Sequence, residues 1–129
     1  MGSGVMLGKL DPTEKVRLDN KRLEELYNQL GPANAENVIS RAMEELAVRL
    51  ARVASAYGTG NLQELKKVAN SITIIADQVG MSTLGRVASD VAQLTGRNDG
   101  AALAATTTRL TRLGERSLMA VWDLQDLSV

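Results

Sequence analysis

The sequence contains no cysteine and no histidine, and each absence excludes a kind of chemistry. Without cysteine there are no disulfide bonds, no thiol nucleophile and no thiolate metal site. Without histidine the chain lacks the usual general base, the commonest metal ligand and any residue that forms phosphohistidine. Phenylalanine is also absent, and there are one tryptophan and two tyrosines. These absences argue against most enzyme classes, and we expect a protein that is not an enzyme and that holds no metal ion or cofactor.

Neither charge sign is in excess, because 15 Lys and Arg residues balance 15 Asp and Glu residues. This neutrality argues against nucleic acid as a partner. No run approaches the roughly 18 apolar residues of a membrane span, and the apolar run near the N-terminus is too brief for a secretory signal. The 129 residues correspond to one domain. We expect a cytoplasmic protein with a flexible start over 1–10 and a single domain over 11–129.

Good helix formers fill every long segment, and their apolar residues recur every three or four positions. The pattern predicts an all-α fold with four long helices, at about 35–57, 62–79, 83–95 and 100–124. Turns of about three to six residues join them, which favours an antiparallel up-down-up-down four-helix bundle. One or two short N-terminal helices, starting near Asp11 and Asn20, would lie across one end.

Local signals support these boundaries. Asn61 and Ser82 are expected to cap the helices that follow them, and Gly80 is a natural left-handed stop. The first long helix has one apolar stripe, formed by Ile39, Met43, Leu46, Leu50, Val53 and Tyr57. Such a stripe predicts the buried side of an amphipathic helix.

Motifs for phosphate or metal binding are incomplete. The run Gly58-Thr59-Gly60-Asn61 lacks the Lys and the Ser or Thr of a P-loop. Asp99-Gly100 lacks the flanking carboxylates of a calcium loop, and a di-iron bundle needs histidine. The run Thr106-Thr107-Thr108 is expected to donate its hydroxyls to carbonyls of the preceding turn.

The second long helix is predicted to have a polar outer face. If Ile72 is at the centre of its buried side, Asn70 lies about 160° away, and its side chain points to solvent. The neighbours of Asn70 one turn away are Lys66, Lys67, Thr73 and Ile74. Taken alone, this pattern is typical of a solvated helix face with one apolar residue; an interaction surface is the alternative.

Two runs near the centre of the chain carry a recognisable pattern, Leu62-x-x-Leu65-Lys66-Lys67-Val68-Ala69-Asn70-Ser71-Ile72 and Ala76-x-x-Val79-Gly80-Met81-x-x-Leu84. With Val87-Ala88-x-x-Val91 and the last amphipathic helix, they resemble the histidine-containing phosphotransfer (HPt) domain family over about 37–124. The resemblance implies that the chain is a helical bundle and that it acts in a bacterial two-component phosphorelay. In that family an exposed histidine takes a phosphoryl group from an aspartate of a receiver domain and later returns it.

The chain departs from the family at the reacting residues. Asn70 stands at the phospho-histidine position, Thr73 replaces a lysine, and Ile74 replaces a glycine. An amide nitrogen is not a nucleophile, because its lone pair is delocalised into the carbonyl. The resemblance therefore implies a signalling module that docks a receiver domain or a histidine kinase without carrying phosphate. The expected docking residues are Lys66, Lys67, Asn70, Thr73, Ile74 and Asp77.

Two alternatives remain open. The first is a structural or self-associating bundle with only ancestral likeness to HPt domains. For the signalling module itself, we expect a monomer or weak homodimer. The first alternative is favoured by the apolar residues around the last helix, which are Leu118, Met119, Val121, Trp122, Leu124 and Leu127. N-terminal helices that cover this side are the other explanation of the same residues. The second alternative is an active phosphotransfer protein in which Asn70 replaces a native histidine.

Overall fold

The structure is a computed structural model that describes residues 18–127, with side chains described for residues 18–123. These residues form five helices and contain no strand. The helices are α1 (Asn20–Leu30), α2 (Pro32–Gly58), α3 (Leu62–Gln78), α4 (Ser82–Leu94) and α5 (Gly100–Leu127). The predicted all-α class and the predicted long helices are confirmed. The helix expected near Asp11 and the flexible start over 1–10 lie outside the described residues.

The predicted helix ends have identifiable causes in the sequence. The side chain of Asn61 accepts a hydrogen bond of 3.1 Å from the backbone N–H of Glu64, so the predicted cap of α3 is confirmed. Gly80 follows α3 with φ +76°, as predicted for a left-handed stop. The predicted cap of α4 is wrong: Met81 holds the N-cap position, and Ser82 is already the first helical residue.

The start of α2 also differs from the prediction. Gly31, with φ +81°, separates α1 from α2, and Pro32 is the first residue of α2. A proline at this position loses no hydrogen bond, because the first N–H groups of a helix have no intrahelical partner. The helix therefore begins three residues earlier than expected.

The helices enclose one buried apolar cluster. Each of the four long helices packs against the next one along the chain, α5 also packs against α2, and α1 packs against α2. The predicted stripe of α2 is buried except for Tyr57, which is 39% exposed; Ala56 is buried in its place. The directions in which the four long helices run in the predicted bundle stay a prediction. Within residues 18–127, no helix combines the length and apolarity that crossing a bilayer requires.

Two close approaches join elements that are distant in the sequence. A Cβ atom at Gly114 of α5 would collide with the side chain of Leu50 in α2, with only 2.7 Å to Cδ2. At the start of α1, the N–H of Asp19 donates a 2.6 Å hydrogen bond to the carbonyl of Gly80. This bond ties the chain entering α1 to the turn between α3 and α4.

Candidate functional site

The outer face of α3 carries most of the predicted docking residues. Asn70 lies in the middle of the helix and is exposed, as predicted, because the buried side of α3 is centred on Ile72. Ile74 is 62% exposed. Five of the predicted docking residues are exposed on this side, namely Lys66, Lys67, Asn70, Ile74 and Asp77, and we call these five the α3 face. The structure therefore brings five of the six predicted residues together on the surface.

Thr73, the sixth predicted residue, has a different environment. It is half-buried, and its hydroxyl lies 3.3 Å from the carbonyl oxygen of Ala69 and 3.2 Å from that of Gly85 in α4. A Cβ atom at Gly85 would be 3.1 Å from a carboxylate oxygen of Asp77, so α3 and α4 are close here. The Thr73 hydroxyl is thus bonded within the fold, at the contact between two helices.

The opposite edge of the α3 face holds an arginine that sequence reasoning missed. The Nε of Arg49 in α2 donates a 3.1 Å hydrogen bond to the hydroxyl of Ser71, which in turn donates a 2.6 Å bond to the carbonyl of Val68. The Nη1 of Arg49 also lies 3.5 Å from a carboxylate oxygen of Glu45. The Glu45–Arg49 spacing is the one sequence signal for this cluster, since residues four apart on a helix are neighbours.

The chemistry of the α3 face is that of noncovalent contact. The Asn70 side chain offers two N–H donors and one carbonyl acceptor, and its nitrogen has no free lone pair. Two lysines and Asp77 offer charge, and Ile74 offers apolar surface. Within the part of the chain that the structure describes, no group of three or more His, Cys, Asp or Glu residues is placed to hold a metal ion.

No protein-family model matches this chain, and neither a curated protein nor a solved structure is significantly similar to it. The resemblance to HPt domains therefore stays a prediction that depends on the quoted residues. The function of the α3 face has to be argued from its own geometry.

A second surface lies along α5. Leu118 and Val121 are buried, whereas Met119 is 60% exposed and Trp122 is 49% exposed. The predicted apolar residues Leu124 and Leu127 lie beyond the described side chains. An open groove of about 500 Å³ lies between α2 and α5. It is lined by Ala47, Leu50, Ala51, Ala54, Thr111, Glu115 and Leu118. Sequence reasoning missed the groove, because alanines on an exposed side give no apolar signal.

Proposed function

We propose that this chain is a non-catalytic HPt-like signalling module that docks a response-regulator receiver domain or a histidine kinase through the α3 face. The observation that carries the proposal is the exposure of Asn70 in the middle of α3, on a face with Lys66, Lys67 and Ile74. By the resemblance, this is the position of the phospho-accepting histidine. A carboxamide there leaves a surface that binds but does not carry phosphate.

The proposal includes the antiparallel arrangement of the four long helices. Three residues separate α2 from α3, and three separate α3 from α4, and such short links favour antiparallel neighbours. The Arg49–Ser71 hydrogen bond supports this, because Arg49 lies nine residues before the end of α2 and Ser71 lies nine residues after the start of α3. In an antiparallel pair, residues equally far from the turn meet.

The replacement of glycine by Ile74 favours binding over transfer. Docking that covers its side chain, now 62% exposed, contributes about 1–2 kcal/mol, since complete burial of an isoleucine is worth about 1.5–3 kcal/mol. Apolar anchors at helical spacing are a common way for helical surfaces to recognise partners. A side chain at this position also occupies space that the family leaves open beside the reacting residue.

Calorimetry against the receiver domains and histidine kinases of the same organism tests the docking. Wild-type protein should bind at least one of them, and Ile74→Glu should weaken that binding at least tenfold, because a charge replaces the apolar anchor. Met119→Glu is the matched control: Met119 is 60% exposed on α5, away from the α3 face, and its replacement should leave binding unchanged. Unchanged binding by Ile74→Glu would remove the α3 face as the docking surface.

A phosphotransfer assay tests the loss of catalysis. Wild-type protein should take up no phosphoryl group from a phosphorylated receiver domain. Asn70→His alone should not restore efficient transfer, because Ile74 still occupies the space beside the ring and Thr73 still replaces the lysine. Efficient transfer by Asn70→His would show that the scaffold keeps the complete machinery and that one substitution silences it.

Self-association is a second candidate function, and the exposure of Met119 and Trp122 favours it. Among the described helices α1 packs against α2 and leaves both side chains exposed. Sedimentation at micromolar concentration distinguishes the two functions. A dimer that Met119→Glu dissociates, together with no binding to any receiver domain or kinase, would favour self-association.

A further inference from the structure

Two exposed β-branched residues flank the contact between α2 and α3. Ile74 is 62% exposed, and Val48 of α2 is 53% exposed. Each stands two residues after a fully buried residue, Ile72 and Leu46 respectively. At about 100° per residue, each side chain is therefore rotated by roughly 200° from the core and points outward.

The hydrogen bond between Arg49 and Ser71 places Val48 and Ile74 at nearly the same height along the axes of α2 and α3. Arg49 is the neighbour of Val48 in the chain, and Ser71 lies one helical turn before Ile74. Both apolar side chains thus lie within about one turn, or about 5 Å along the helix axes, of a single contact between adjacent helices. They form two apolar points on one two-helix surface, with the bonded Arg49 and Ser71 between them.

Two positively charged side chains lie at the end of this surface that is nearer the α2–α3 turn. Arg52 follows Val48 by one turn of α2, and Lys67 precedes Ser71 by one turn of α3; both side chains are exposed. In the antiparallel arrangement proposed above, both lie toward the turn that joins α2 to α3. Glu64, half-buried one turn before Lys67, offsets part of this charge, and Glu45 is already paired with Arg49. A partner that fits has carboxylates opposite this end.

We propose that the docking surface extends from α3 onto α2, where Val48 and Arg52 bind the same partner as Ile74. The partner's contact surface is an apolar ridge that meets Val48 and Ile74, with acidic side chains beside it that meet Arg52 and Lys67. This inference rests on the proposed docking function. It names specificity-determining residues that the resemblance does not supply, and it places the partner across the α2–α3 side of Ile74. On the α4 side, the Thr73 hydroxyl is bonded to Gly85.

Calorimetry with the receiver domain or kinase that binds the wild-type protein tests the extension. Val48→Glu should weaken binding at least tenfold, which is the effect expected of Ile74→Glu. Arg52→Glu should weaken it at least threefold at low salt and reduce its dependence on NaCl concentration, because exposed charge pairs are screened by salt. Arg112→Glu, at an exposed arginine of α5, is the control and should bind like the wild type. Circular dichroism shows whether each variant keeps its helical fold.

The outcomes separate this inference from the docking function itself. If Ile74→Glu abolishes binding while Val48→Glu and Arg52→Glu bind like the wild type, docking stays on α3 and the extension onto α2 is wrong. If Ile74→Glu and Val48→Glu both bind normally, the partner docks elsewhere and both proposals fail. Binding that Arg52→Glu weakens no more than Arg112→Glu would overturn the acidic character assigned to the partner.

Discussion

The contact between α2 and α5 gives a quantitative test of the packing. A Cβ atom at Gly114 would lie 2.7 Å from Leu50 Cδ2, and Leu50 is only 7% exposed. Adding a methyl group to a filled site costs about 1–3 kcal/mol, whereas replacing a glycine in a helix interior by alanine gains about 1 kcal/mol. Gly114→Ala should therefore lower the free energy of unfolding by about 1 kcal/mol, as measured by urea denaturation.

The same change in a Leu50→Ala background isolates the collision. The side-chain atoms that the new methyl group meets are then absent, so Gly114→Ala should raise the free energy of unfolding by about 1 kcal/mol. The two backgrounds should differ by about 2 kcal/mol, which is the coupling energy of a double-mutant cycle. An effect of equal size in both backgrounds would refute the close approach of α5 to Leu50.

Two further predictions concern stability, and both are measured by urea denaturation. Thr107→Val should raise the free energy of unfolding by about 1 kcal/mol, because the buried Thr107 hydroxyl has no hydrogen-bond partner among the described residues. Ser117→Ala should lower the free energy of unfolding, because the Ser117 hydroxyl donates a 2.7 Å bond to the carbonyl of Leu113. A loss of stability in both variants would contradict this reasoning. Gly80→Ala should cost more than Gly60→Ala: both glycines have positive φ, but a Cβ atom at Gly80 would also lie 2.9 Å from the carbonyl oxygen of Asp19, whereas Gly60 has open space. Equal losses at the two glycines would show that α1 does not hold this turn.

The all-α class and most helix bounds could be predicted from the sequence, because local signals determine them. Side-chain capping fixes the start of α3 at Asn61, and positive φ fixes the stop at Gly80. The errors occur where tertiary contacts decide. Met81 is buried at the N-cap of α4 in place of Ser82, and Ala56 takes the buried place expected for Tyr57. Periodicity alone does not show which side of the last turn faces a neighbouring helix.

The threonine run shows the same limit. The Thr108 hydroxyl donates a 3.0 Å bond to the carbonyl of Ala104, as predicted for hydroxyls beside a buried stripe. The hydroxyl of Thr107 has no such bond among the described residues, so the prediction is wrong there. Its buried position in the core depends on the packing of α5, which no local rule supplies.

The candidate site could be predicted only in part. The exposure of Asn70 and Ile74 follows from helical geometry, because both lie about opposite the buried Ile72. The bond between Thr73 and α4, and the contribution of Arg49 from α2, depend on which helices lie beside α3. A pattern within a single helix does not contain that information.

A nuclear magnetic resonance titration tests whether a receiver domain or kinase docks on the α3 face, as we propose. Unlabelled partner is added to ¹⁵N-labelled protein, and the shift of each backbone amide signal is followed. We predict that the largest shifts fall between Lys66 and Asp77 in α3 and around Val48 in α2, while amides near Met119 change little. Shifts centred on Met119 and Trp122, with α3 unperturbed, would show that the partner does not dock on the α3 face.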